Sequence, residues 1–421
     1  MASISQLPSE VAYQAETVFG TDPGSWAASG QTLHHDPAAV DLSGVGREMV
    51  ENPRQVADVF EVPDKLHGLF GGSIPLSLPM HGTGTVTADT VQVVQTDLGE
   101  ILEHMLGGDK RTYSSTCGAG NLTTTTFDPA LTTDIDEGVW LAIADAGDAN
   151  RLFFTQCASW DGTTWTSDVV LPFTPANGDV LHGVEANYID SSALIDGGDT
   201  DTFAWLVQKG VVGSKECFLF TGAKAEFASL TLGRGTPAML GINVHYAKHV
   251  GPDAQSEVTL ALTPNNSAPA IVGGDADFWM EDDGTTTRTL HKVNELTLTP
   301  GVPVLPQDTI TTHNANTPGK SGWTTGPSDT LMSLNLLEVT TAWWDDFQAD
   351  TKQVARYQNT GSAGNAFGVH MSRAQIIETP KRGTAESLSS SMLSLRANRD
   401  SVNAAAGTAQ LWQSKFVILR A

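Results

Sequence analysis

Cysteine is scarce in this chain: Cys117, Cys157 and Cys217 are the three in 421 residues. They cannot all pair within one molecule and are too few for a disulfide framework, so they read as ordinary thiols, with a Cys117–Cys157 bridge as the alternative. Basic residues are also short. Lys and Arg number 23 against 48 Asp and Glu, a formal net charge of -25. Binding nucleic acid by neutralising phosphates needs clustered cations, so that class is disfavoured. No apolar run reaches the roughly 18 residues of a membrane-crossing helix, and no membrane anchoring is expected. The opening stretch MASISQLPSEVAYQAETVFG has no early basic residue, no apolar run and no clear cleavage site. It does not read as a signal peptide, and synthesis in a cytoplasm without export is the expectation.

Catalytic signatures are missing too. The sequence has no G-x-S-x-G, no H-E-x-x-H, no Walker loop and no G-x-G-x-x-G opening a helix after a strand. His245 and His249 have the spacing of a helical zinc pair, but LGINVHYAKHV alternates like a strand, where positions four apart are about 13 Å apart. His34 and His35 would point to opposite faces of an extended segment. DADFWMEDDG (275–284) has Met280 where a calcium loop needs glycine, so it reads as a solvated acidic turn before a strand. Paired carboxylates could serve glycoside hydrolysis on any fold, yet no pair stands out. No enzyme activity, cofactor or metal is expected.

What is present is turn chemistry and alternation. With 41 Gly, 20 Pro, 40% hydrophobic and 17% charged residues, the composition suits many short strands better than disorder or a helical bundle. Internal repetition is visible. LHHDPAAVDLSGV from Leu33 lies over LHKVNELTLTPGV from Leu290, and SIPLSLPM from Ser73 lies over DTLMSLNL from Asp329, placing Ser77-Leu78 on Ser333-Leu334. Ile74, Leu76, Leu78 and Met80, and likewise Met332, Leu334 and Leu336, alternate as strands with one buried face do. A short helix follows each. In the first, Asp97 caps, Glu100 completes a capping box, Leu98, Ile101, Leu102 and Met105 form the packing stripe, and Gly107 stops the helix. In the second, Thr340 or Thr341 caps and Trp343, Trp344 and Phe347 form the stripe. The tails correspond as well: FLFTGAKAEF from Phe218 lies over FGVHMSRAQI from Phe367, with Lys224 on Arg373 and Gly235-Thr236 on Gly383-Thr384.

These alignments imply a duplicated domain whose first copy carries an insertion. The expected plan is copy one in residues 1–108 and 205–255, an inserted β domain in 109–204, a linker in 256–289 holding the strand VTLALT, and copy two in 290–421. Within the insertion, VWLAIAD, RLFFTQCASW and TWTSDVVLPF are apolar runs separated by AGDAN and DGT, the residues of hairpin turns. Copy two needs only a short connection at the matching place. Deleting 112–202 with a Gly/Ser bridge should therefore leave an assembling chain. Charge is uneven: residues 1–108 carry 14 acids and 3 bases, the insertion 15 and 3, residues 205–289 carry 9 and 6, and residues 290–421 carry 10 and 11.

The order of elements resembles the tail tube (major tail) proteins of tailed bacteriophages. It is carried by HGLFGGSIPLSLPMHG in copy one. In copy two it runs from VNELTLTPGV through SGWTTGPSDTLMSLNL, TTAWWDDFQADT and FGVHMSRAQIIETPKRG to KFVILRA. The resemblance implies two tandem β-sandwich domains, each flanked by a helix, and a trimer that imitates a hexameric ring. Stacked rings would form the tube of the virion, assembled in the host cytoplasm, and conduct DNA during ejection without binding it specifically. Its partners would be further copies of itself, the tape measure, the tail terminator and distal tail proteins. The family's ring-stacking loop maps onto 43–63 and 303–322, whose Pro, Asn and Gly content suits loops rather than strands. Its candidate contact residues are Arg47, Glu48, Glu51, Arg54 and Asp58 in the first loop and Asp308, His313 and Lys320 in the second. A bore for DNA should repel phosphate, and an acidic chain agrees with that. The competing reading is a glycan-binding virion or cell-surface β protein using Trp160 and other tryptophans of the insertion.

Overall fold

The computed structural model describes residues 9–33, 35, 40–42, 45, 47–50, 66–84, 92–93, 95–145, 148–190, 193–194, 202–211, 213–251, 256–260, 270–274, 276–282, 289–308, 320–338, 340–359, 361, 364–385, 388–399 and 414–421. The chain is mainly β, its described strands joined in antiparallel ladders. Among these residues no helix is long and apolar enough to cross a membrane.

Alternation builds the core. Ile74, Leu76 and Leu78 are buried from the strand Gly72–Pro79, with Met80 just past its end, as are Leu240, Ile242, Val244 and Tyr246 from Met239–Tyr246. Met332, Leu334 and Leu336 do the same from Leu331–Leu336. All belong to one hydrophobic cluster that spans both halves of the chain. Period-2 burial fixes the register, because a one-residue slip would turn these side chains to water.

The ladders of the first half recur in the second. Tyr13 faces Trp205, which faces Phe220, just as Phe278 faces Tyr357, which faces Val369. Leu219 faces Val250 as Gly368 faces Leu419, and Ala225 faces Val244 as Ala374 faces Ala397. Leu78 faces Leu240 as Leu334 faces Leu393.

The helix Asp97–Leu106 buries Leu98, Ile101, Leu102 and Met105. Its cap is Thr96 rather than Asp97: the threonine side chain accepts from the Gly99 N–H, and Asp97 is the first helical residue. Gly107 ends the helix at φ 86°, where a side chain would be strained. The second helix, Ala342–Ala349, departs from the expected stripe. Trp343 is buried and Phe347 half-buried, but Trp344 is exposed, so the helix seats one tryptophan and turns the next outward. Thr341 occupies its cap position without a side-chain bond, while the Thr340 hydroxyl accepts from the Ala342 N–H.

Three further readings change. DADFWMEDDG is no solvated turn: Ala276–Asp282 is a strand along Lys352–Asn359 with Phe278, Trp279 and Met280 buried. Three consecutive apolar residues outweigh the flanking acids there. VTLALT forms no strand over residues 258–260, and its remainder lies outside the described residues. The loops at 43–63 and 303–322 have paired strands at their bases, Arg47–Val50 with Leu66–Phe70 and Val304–Asp308 with Lys320–Thr325. Ladder pairing overrides the turn-forming composition at these bases.

Within the insertion, residues 115–183 fold into a separate six-stranded sheet with its own core around Phe127, Trp165 and Leu181. The strands flanking it, Gly107–Arg111 and Glu185–Ile189, pair with each other instead. Glu185–Ile189 also pairs with the C-terminal strand Val417–Arg420 of the second half.

Candidate interaction surface

Seven strands form one continuous ladder across the two halves. In spatial order they are Gly72–Pro79, Met239–Tyr246, Glu216–Gly233, Val293–Thr299, Leu331–Leu336, Leu388–Ala397 and Lys381–Ala385. The halves meet in the middle, where Leu230 faces Leu298 and Thr231 faces Thr297. One face of this ladder is turned into the core. The other carries a row of small residues in register: Ser77 and Gly241 with Ser229, then Thr231, Thr297, Ser333 and Ser394. These are half-buried or exposed. A depression of about 290 Å³ opens on that side beside Glu295, Asn335, Lys381 and Met392.

Two buried charge centres fasten the seam. In the first, Arg420 and Glu185 are cross-strand neighbours, both fully buried, with Arg420 Nη2 2.7 Å from Glu185 Oε2. Arg420 Nη1 also donates to Thr96 Oγ1 at 2.7 Å. The carboxylate reaches the helix because residue 99 is glycine: a Cβ there would lie 1.7 Å from Glu185 Oε1. Glycine in a helix interior costs about 1 kcal/mol relative to alanine, and here that cost admits the ion pair. Burial pushes the Glu185 carboxyl up, opposed most strongly by Arg420.

In the second centre the fully buried Arg356 forms an ion pair with Asp168 of the inserted sheet. Its Nε donates to His370 Nδ1 at 3.2 Å and its Nη1 to the Phe154 carbonyl at 3.4 Å. The guanidinium lies 4.7 Å from the Trp140 ring centre and 5.2 Å from that of Trp279, so two indoles supplement the carboxylate. Burial, then Arg356, hold the His370 imidazole well below its usual range, which keeps the accepting nitrogen unprotonated.

Asp109 sits beside the first centre, 2.9 Å from Arg111 Nε and accepting from Asn187 Nδ2 at 3.4 Å. Burial, then the Glu185 and Glu103 charges, push its carboxyl up to about 7. The folded protein therefore retains a proton that an unfolded aspartate, titrating at 3.8, has released. Its contribution to stability is greatest below 3.8 and is lost as pH rises towards about 7. Asp109→Asn is expected to remove that decline, read as melting temperature against pH. An unchanged slope in the variant would show that Asp109 does not set it.

No protein-family model and no curated protein matches this sequence.

Of the loop residues singled out from the sequence, Arg47 and Glu48 lie on the strand Arg47–Val50, while Asp308 and Lys320 lie at the tip-side ends of the second ribbon. Glu51, Arg54, Asp58 and His313 fall outside the described residues. The second ribbon is anchored by a residue the sequence reading overlooked. Trp323 is buried with Phe19, Ala247 and Val304, and its indole N–H donates to the Gly222 carbonyl at 2.7 Å. A lone tryptophan in a Gly/Thr-rich segment was the available signal. His245 is paired with Glu226 at 2.7 Å, which lowers that carboxyl, and His249 lies on the neighbouring strand Lys248–Val250. All three cysteines are free and buried. Trp165 is fully buried and Trp160 half-buried against the inserted core, so the two do not present a joint exposed platform for a sugar.

Proposed function

We propose that this chain is a structural subunit of a phage tail tube: two copies of one β-sandwich domain with its helix, joined in a chain that assembles into trimeric, pseudo-hexameric rings. The carrying observation is the recurrence of the same ladders in the same register in both halves, with the second half docked on the first through a strand. Two equivalent units joined through unlike faces form a head-to-tail contact, and such a contact, repeated between molecules, gives a ring where its rotation closes. The paired-strand ribbons Arg47–Val50 with Leu66–Phe70 and Val304–Asp308 with Lys320–Thr325, one in each half, each precede matching strands of the two ladders, Gly72–Pro79 and Leu331–Leu336. They are the arms that would reach the adjacent ring. The DNA would pass through the bore, with tape measure, terminator and distal tail proteins as the other partners.

Concentrated protein, alone or mixed with a tail initiator, should show rings or striated tubes in negative-stain micrographs. Monomeric globular particles under every such condition would sink the proposal.

A further inference from the structure

The seven-strand ladder ends on two strands that carry no partner on their outer sides among the described residues. These are Gly72–Pro79, paired with Met239–Tyr246, and Lys381–Ala385, paired with Leu388–Ala397. Bare edges of this kind invite pairing with another chain. The junction inside the molecule indicates what fits them. There the strand Val293–Thr299 bridges the halves, facing Leu230–Gly233 of the first on one side and Leu331–Leu336 of the second on the other. Lys381–Ala385 occupies in the second half the place that Leu230–Gly233 occupies in the first. Lys381 faces Met392 as Thr231 faces Met239. Gly72–Pro79 likewise occupies in the first half the place of Leu331–Leu336, with Ser77 standing where Ser333 stands.

We infer that the Lys381–Ala385 edge of one chain receives the Gly72–Pro79 side of a second copy, repeating between molecules the junction already made within one. This rests on the tube-subunit reading and names the contact that closes its ring. Charge favours the pairing. Arg382 is exposed on the receiving strand beside Lys381, itself exposed and paired with Glu378 at 3.1 Å, and residues 1–108 of the incoming copy carry 14 acids and 3 bases. The receiving side also leaves Met392, on the strand beside Lys381–Ala385, half exposed at 50%. Within the molecule Thr231, Thr297 and Ser333 share one row, so the outer two positions are two strand spacings apart, about 10 Å. With an extended segment of the incoming copy filling the bridging place that Val293–Thr299 holds within the molecule, Lys381 and the neighbour's Ser77 should lie at about that separation, whereas five strands intervene between them inside one chain.

The double variant Ser77→Cys/Lys381→Cys tests this with a bismaleimide cross-linker of about 10 Å reach, matched to two strand spacings. Assembled full-length protein should yield a ladder of covalent dimers and trimers on a denaturing gel, and neither single variant should. Assemblies seen by sedimentation that give no ladder would overturn the docking site while leaving the tube reading intact. A chain that stays monomeric throughout would overturn both. Should the double variant misfold, Lys381→Glu/Arg382→Glu alters only exposed side chains. An at least tenfold rise in the concentration needed for assembly, with unchanged monomer melting, supports the site; unchanged assembly refutes it.

Discussion

Glu185→Ala is expected to destabilise the protein by about 3–5 kcal/mol, the usual penalty for leaving one member of a buried ion pair without its partner. Arg420 is fully buried, its remaining hydrogen-bond partners, Thr96 at 2.7 Å and Asn187 at 3.4 Å, are neutral, and the Asp109 carboxyl acts on it only through space. The loss should concentrate at the seam, because Glu185–Ile189 is the strand that joins Val417–Arg420 to Gly107–Arg111. Chemical denaturation measures the total, and hydrogen exchange over 417–420 locates it. Replacing both partners, as in Glu185→Leu/Arg420→Met, should recover much of the loss, since an apolar pair carries no desolvation penalty. A change below about 1 kcal/mol for Glu185→Ala would place this pair with ordinary surface salt bridges.

Deleting residues 112–202 is expected to yield insoluble protein, contrary to what the sequence plan suggests. The cut removes Glu185–Ile189 together with the six-stranded sheet, so Val417–Arg420 loses a ladder and Arg420 its counter-ion. It also takes away Asp168, leaving Arg356 buried and unpaired by charge. Trp140, Leu152 and Phe154, which cover Ala366, Val417 and Leu419, go as well. Each loss alone is of the order of several kcal/mol, comparable with the total stability of a domain. Comparing soluble yields of the deleted and intact chains decides the matter. A soluble, cooperatively melting deletion product would mean that the inserted sheet is a detachable lobe.

The contrast shows where sequence reading reaches and where it stops. Alternation made Gly72–Pro79 and Leu331–Leu336 legible, and capping chemistry located the first helix to within one residue, since Thr96 and Asp97 are both good caps. Those signals are local. The anchors of the seam are not: Arg356 meets Asp168 and Arg420 meets Glu185 across long stretches of chain, and nothing in either neighbourhood marks them. Trp279 was obscured by the acids around it, although Phe153 of the inserted sheet stacks on it at 5.7 Å. Trp344 failed for the opposite reason. Two adjacent tryptophans on a helix point about 100° apart, so both could not face the core of so short an element.

The row from Ser77 and Gly241 through Thr231, Thr297 and Ser333 to Ser394 gives the proposed bore a character that net charge does not describe. If the ladders close into a ring, this face becomes the inner wall, and beside the exposed Glu295 and Lys381 it offers passing phosphates a row of reorientable hydroxyl dipoles. Transit past the hydroxyl row itself would shed few counterions. Along that row the polymer would slide on a lubricated track rather than grip it.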